Sequence, residues 1–148
     1  MKQAINNKQA GFSLLEIMVV LVILGILVGL VAPNVLENVE KARLQQVKAD
    51  FKTLETSLKL YKLDNFVYPS TEQGLQALVS KTDISPVPKN FKKGGYLDKL
   101  PKDPWGNDYI YLSPGDHGDF DIYTLGADGT VGGEDADADL GNWQSGAE

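Results

Sequence analysis

Residues 8–36 read KQAGFSLLEIMVVLVILGILVGLVAPNVL. From Phe12 to Leu36 the only charge is Glu16, and residues 17–36 are twenty positions without one. At about 1.5 Å rise per residue a helix of that length spans roughly 30 Å, the hydrocarbon thickness of a bilayer. Lys2 and Lys8 precede the run, so the positive-inside rule places the N-terminus in the cytoplasm and the bulk of the chain outside it. An ordinary signal peptide is the plainer alternative. The apolar run exceeds the usual h-region of about 7–15 residues, however, and no A-x-A cleavage site follows. A helix packed on the surface of a soluble core keeps a polar face, and this segment has none.

Three features inside the run stand out. Glu16 is a carboxylate at the start of an apolar span, where an unpaired charge is costly. The segment itself offers no cation, so the partner must come from another molecule or from a newly made N-terminus. Gly25 and Gly29 form a small-xxx-small pair that permits close helix approach. Pro33 removes a backbone N–H and clashes with the carbonyl of Gly29, so a kink or local melting is expected between Gly29 and Pro33. The same proline would equally mark a membrane exit.

Working outward, 148 residues make one domain plus an appendage. The net charge is −6, and Asp103–Glu148 contains no Lys or Arg at all. That balance disfavours nucleic-acid binding, which wants a basic face. Zero cysteines exclude disulfides, thiolate metal sites and cysteine nucleophiles, and one histidine excludes any site needing two. The chain is not expected to be an enzyme.

Residues 37–63 continue as a helix, because Leu44, Val47, Phe51, Leu54, Leu58 and Tyr61 step by three or four into one apolar stripe. Together with the apolar run this predicts one helix of about 50 residues. Ser70-Thr71-Glu72-Gln73 reads as a capping box opening a short helix to about Ser80. Residues 81–102 hold three prolines and two glycines and read as loop. Tyr109–Leu112 and Phe120–Leu125 flank a Pro-Gly-Asp-His-Gly-Asp turn, which predicts an antiparallel β-hairpin or meander. The expected class is α+β: a long N-terminal helix, transmembrane in its first half, packed by its second half on a small antiparallel sheet. By alternation Asp119 and Asp121 share a face, where two acids on an exposed hairpin keep an edge soluble. His117 reads as a surface residue, Trp105 and Trp143 as packing groups.

Residues 125–139, LGADGTVGGEDADAD, are dense in glycine and carboxylate and do not match the EF-hand pattern. By the residues alone they admit two readings. One is a calcium site, since calcium takes six to eight oxygens and glycines let carbonyls turn inward. The other is a solvated acidic loop or a disordered tail.

Lys8-Gln9-Ala10-Gly11-Phe12-Ser13-Leu14-Leu15-Glu16 resembles the type IV prepilin cleavage signal: a short basic leader, Gly, then Phe, with Glu as the fifth residue of the mature chain. The resemblance implies that a prepilin peptidase cuts between Gly11 and Phe12 and N-methylates Phe12. The new α-amino group, of pKa about 8, is a cation of the kind Glu16 lacks. Further along, Asp103-Pro104-Trp105-Gly106-Asn107-x-Tyr109-x-Tyr111, Phe120–Gly129, Gly132-Gly133 and Asp135-Ala136-Asp137 look like the major pseudopilins of type II secretion systems. That resemblance implies a calcium site in the C-terminal loop, with the side chains of Asp128, Asp135 and Asp137 and the carbonyl of Leu125 as ligands. Asp137 stands where relatives carry a shorter hydroxyl residue, a departure that adds a carboxylate.

The implied organisation is a cleaved leader (1–11), a membrane and filament-core helix (12–36) and a periplasmic pseudopilin domain (37–148). The implied function is the major subunit of a homopolymeric pseudopilus that grows from the inner membrane and drives export of folded proteins. The implied partners are further copies of the chain, minor pseudopilins, the prepilin peptidase and an inner-membrane platform with its ATPase, since the chain has no nucleotide-binding loop. A type IV pilus subunit for adhesion or motility is the alternative; the lack of a cysteine pair counts against it.

Overall fold

The computed structural model describes residues 11–146, with side chains at 11–29 and 37–144. Lys2 and Lys8 lie outside the described residues. Helix α1 (Leu14–Asn65) is followed by strands β1 (Ile110–Leu112), β2 (Asp121–Thr124) and β3 (Leu140–Gly141). The chain divides into two units at Val39/Glu40, and α1 contributes to both. The side chains at the expected break between Gly29 and Pro33 lie largely outside the described residues.

In the first unit Phe12, Leu14, Leu15 and every large apolar side chain from Ile17 to Val28 are exposed. No helix among the described residues is long and apolar enough to cross a membrane; their side chains in the apolar run stop at Gly29.

The second unit holds the core. Val47, Phe51, Leu54, Leu58 and Tyr61 are buried as the period of the stripe requires. Leu44, expected in the same stripe, is exposed and borders an open hollow with Leu140 and Gly141. Against this face pack Leu75, Leu78, Tyr109, Tyr111, Phe120 and Ile122. Phe51 meets Tyr109 edge-on at 5.5 Å and Tyr68 meets Phe120 at 4.8 Å, the geometry aromatic quadrupoles favour.

The hairpin forms with the register Ile110↔Tyr123, Tyr111↔Ile122 and Leu112↔Asp121. A third strand, absent from the sequence expectation, pairs Leu140 with Thr124 and Gly141 with Tyr123, which makes β2 central. The reading of Asp121 as an exposed edge acid is therefore wrong. Asp121 is buried and accepts the backbone N–H groups of Asp116 (2.9 Å) and His117, while His117 Nδ1 lies 2.9 Å from its Oδ2. The turn folds back over the carboxylate instead of leaving it in water. His117 in turn stacks flat on Trp143 at 3.9 Å. Asp119 does face solvent and pairs with Lys62 at 3.2 Å.

The capping box is formed: the Ser70 N–H donates to Gln73 Oε1 (2.9 Å) and the Gln73 N–H to Ser70 Oγ (3.3 Å). No α-helix follows. Gly74 takes φ 60°, ψ −171°, so the chain makes a turn and then a 3-10 segment, Leu75–Leu78. Gln73 instead anchors the loop beyond, donating to the carbonyls of Ile84 (2.7 Å) and Pro86 (2.8 Å).

Two core tyrosines carry a pH signature. Tyr109 donates to Asp50 (2.8 Å) and Tyr111 to the Pro69 carbonyl (2.8 Å). Burial, reinforced by Asp50, pushes the Tyr109 hydroxyl far above its ordinary range; burial pushes Tyr111 up to about 12. A pKa raised on folding stabilises the fold below the unfolded value near 10, and that stability is lost as pH rises through the folded value. We expect the phenolate absorbance of Tyr109 and Tyr111 to stay suppressed while the domain is folded and to appear in a cooperative step with unfolding as the pH approaches about 12. All six tyrosines titrating together near pH 10 in a folded domain would contradict the packing.

Candidate functional site

Gly11, Phe12 and Ser13 precede α1 in exposed, irregular backbone, the accessible chain a peptidase requires. Glu16 lies in the first turn of the helix, where the positive end of the helix dipole favours an acid. Among the described residues no cation pairs with it. Pro33 lies inside the range of α1, but its side chain is outside the described residues.

The second candidate is the loop between β2 and β3. Its neck is closed by the Thr124–Leu140 pair and by the Ala127 N–H donating to the Ala136 carbonyl at 2.9 Å. A β-carbon on Gly126 would stand 2.6 Å from the carbonyl carbon of Asp137 and 2.7 Å from its oxygen. Only glycine lets the two limbs approach that closely. Asp128 accepts the N–H (3.0 Å) and the hydroxyl (2.6 Å) of Thr130, and these bonds hold its carboxyl below the usual range. Asp135 takes a left-handed φ of 52°, unusual for a residue other than glycine. Asp135 and Asp137 bound a 3-10 turn and point to solvent.

Asp139 is not a solvated acid. Its Oδ2 accepts the Gly132 N–H at 2.9 Å, and its Oδ1 is buried without a hydrogen-bond partner. A buried carboxylate oxygen with no donor is a costly arrangement unless a cation completes it. Among the described residues no three acidic or histidine side chains converge as metal ligands. The donor chemistry nonetheless suits a hard cation: every candidate is an oxygen, the glycines bring backbone limbs together, and one buried oxygen is left over.

Sequence reasoning gave no role to Asp103, although it heads one of the quoted motifs. Asp103 is buried, and its Oδ1 accepts the N–H groups of Trp105 (3.0 Å) and Asn107 (2.7 Å). Its Oδ2 takes the Thr124 hydroxyl at 2.5 Å. An Asp followed by Pro and Gly signals such an Asx-type turn; the bond to β2 leaves no local trace.

A long N-terminal helix packed on a three-stranded antiparallel sheet, with a closed loop before the last strand, defines a pilin-like protein of the pseudopilin class. Residues 6–32 match the prokaryotic N-terminal methylation motif, and residues 34–143 match the family described as type II secretion system protein G. The chain belongs to the type II secretion system protein G family. It is 61% identical to the type II secretion system core protein G of Vibrio cholerae over 93% of each chain. It is 58% identical to that of Pseudomonas aeruginosa over 95% of this chain and 99% of the relative. The solved structure of the major pseudopilin of the enterohaemorrhagic Escherichia coli type 2 secretion system superposes with a TM-score of 0.68 at 49% identity. That match covers 76% of this chain and 96% of the other.

Proposed function

We propose that this chain is the repeating subunit of a type II secretion pseudopilus. It would be cut between Gly11 and Phe12, methylated on the Phe12 amine, and held in the inner membrane by residues 12–36 with residues 37–148 in the periplasm. The observation that carries this reading is residues 12–28, whose large apolar side chains are exposed on every face, opening on Glu16, an acid with no cation partner among the described residues. Such a surface is stable only in lipid or against other helices. The amine of Phe12 on one copy neutralises Glu16 on an incoming copy, so two charges that lipid disfavours cancel and the axial register is set. Growth then lifts subunits out of the membrane and pushes folded proteins toward the outer membrane. Energy comes from an ATPase on the inner-membrane platform, and minor pseudopilins form the tip.

Calcium fits the same reading as a structural ion of the β2–β3 loop. The Leu125 carbonyl and the carboxylates of Asp128, Asp135 and Asp137 would hold it, and the unpartnered oxygen of Asp139 supports a cation nearby. Its role is to neutralise the carboxylates of this loop and tie its limbs together.

The test is complementation of a secreting strain that lacks its own protein G. The chain should lose residues 1–11, gain one methyl group at Phe12 by mass spectrometry and restore exoprotein in the medium. Glu16→Leu should still be processed and inserted yet restore no secretion. Restored secretion by an unprocessed chain, or by Glu16→Leu at wild-type level, would overturn the reading.

A further inference from the structure

Residues 140–144 run beside β2 as a strap with few attachments. Strand β3 gives the sheet only two residue pairs, Tyr123↔Gly141 and Thr124↔Leu140, too short a strand to hold by its ladder alone. Asn142 adds two bonds: its Oδ1 accepts the Ile122 N–H (3.0 Å), and its Nδ2 donates to Glu55 Oε1 on α1 (3.1 Å). Gln144 folds back, its Oε1 accepting the Gly141 N–H at 3.1 Å.

The remaining attachment is Trp143. A β-carbon on Gly141 would collide with the indole, so the ring lies directly against the strap's own backbone, an approach that only glycine permits. The same ring stacks flat on His117, with centroids 3.9 Å apart and planes 7° apart. His117 belongs to the β1–β2 turn and is itself fixed: its N–H donates to Asp121 Oδ2 (3.2 Å), and its Nδ1 lies 2.9 Å from the same oxygen. Asp121 is buried in β2. The turn therefore offers a rigid wall, and the indole closes the strap onto it.

This closure sits at the surface. Trp143 is 36% exposed, whereas Leu54 and Leu58 in the helix stripe are fully buried. Segments held by few buried apolar contacts open at lower free energy than the core does. Opening the strap also opens the neck of the β2–β3 loop, because the Thr124–Leu140 pair is part of both. Asp139, whose Oδ2 accepts the Gly132 N–H, directly precedes the strap and is one limb of that loop.

We propose that residues 140–144 open as one unit while the core stays folded, with the Trp143–His117 stack as the latch, and that this opening is the route by which the β2–β3 loop takes up and releases its cation. The latch stands on contacts within the unit. The passage of an ion rests on the calcium reading above.

Amide exchange followed by NMR on the full chain in detergent micelles tests the latch in chelator, with no ion needed. The Ile122 N–H reports the strap because its acceptor is Asn142, and the Gly141 N–H reports it through Gln144. Both should exchange with one common protection factor, at least tenfold below those of Leu54 and Leu58. Trp143→Ala should lower protection at Ile122 and Gly141 at least tenfold further and leave Leu54 and Leu58 unchanged. His117→Ala should act in the same direction, and His117→Phe, which keeps a ring for the stack, should restore most of the protection. Equal protection of Ile122 and Leu54, or no change on removing either ring, would overturn the latch. Calcium release into a fluorescent chelator then tests the gate and should be several-fold faster in Trp143→Ala. Unchanged release from a chain whose strap amides exchange faster would overturn the gate alone. A chain that binds no calcium would overturn the calcium reading and the gate together, while the amide exchange still decides the latch.

Discussion

Asp103→Ala should destabilise the globular unit more than any surface substitution, by about 3–6 kcal/mol. Three donors converge on this buried carboxylate: two backbone N–H groups and the Thr124 hydroxyl. Each donor left buried without an acceptor costs about 1–3 kcal/mol. Domains of this size hold only about 5–15 kcal/mol in total, so the loss takes a large share of the whole. Asp103→Asn keeps an acceptor for the turn and should cost less. Asp108→Ala, which removes only an exposed partner of Lys102, should change little. Denaturant midpoints of the three variants check this; an Asp103→Ala effect under about 1 kcal/mol would mean the turn finds other acceptors.

Calcium removal is the second large effect. Residues 37–148 are expected to melt higher in calcium than in chelator, because an ion bound only by the folded state stabilises it by mass action. At a free concentration about 100 times Kd the gain is about 2.7 kcal/mol, roughly 10 °C for a domain of this size. The shift should disappear in Asp128→Ala and Asp135→Ala and persist in Glu134→Ala, whose side chain is exposed and outside the proposed ligand set. Gly126→Ala should weaken it too, because its β-carbon would meet the Asp137 carbonyl. Identical melts in chelator and calcium would return the loop to a solvated acidic segment and leave the buried Asp139 oxygen without its cation.

The same segments divide what local sequence could tell from what it could not. The helix stripe was legible because Val47, Phe51, Leu54, Leu58 and Tyr61 repeat at the helical period, and one face must then be buried. The hairpin was legible because its turn chemistry lies between two β-prone runs. The capping box was legible at Ser70 and Gln73, but the helix expected after it was overruled by Gly74, whose conformation depends on where the following loop is anchored. β3 could not be read from two residues, Leu140 and Gly141. Their strand character comes from pairing with β2 after a long loop has closed.

The carboxylates make the same point. Asp119 and Asp121 are identical in composition and two positions apart, yet one is in water and the other beneath a turn. Asp139 and Glu134 sit in one acidic run, and only Asp139 has an oxygen with no water to reach. By itself the sequence determined the family, the apolar anchor with its acid, the spine and the charge asymmetry, because these depend on periodicity and composition over contiguous residues. The tertiary structure alone decided which acids are buried and where β3 pairs, because burial and long-range pairing depend on the whole packed chain.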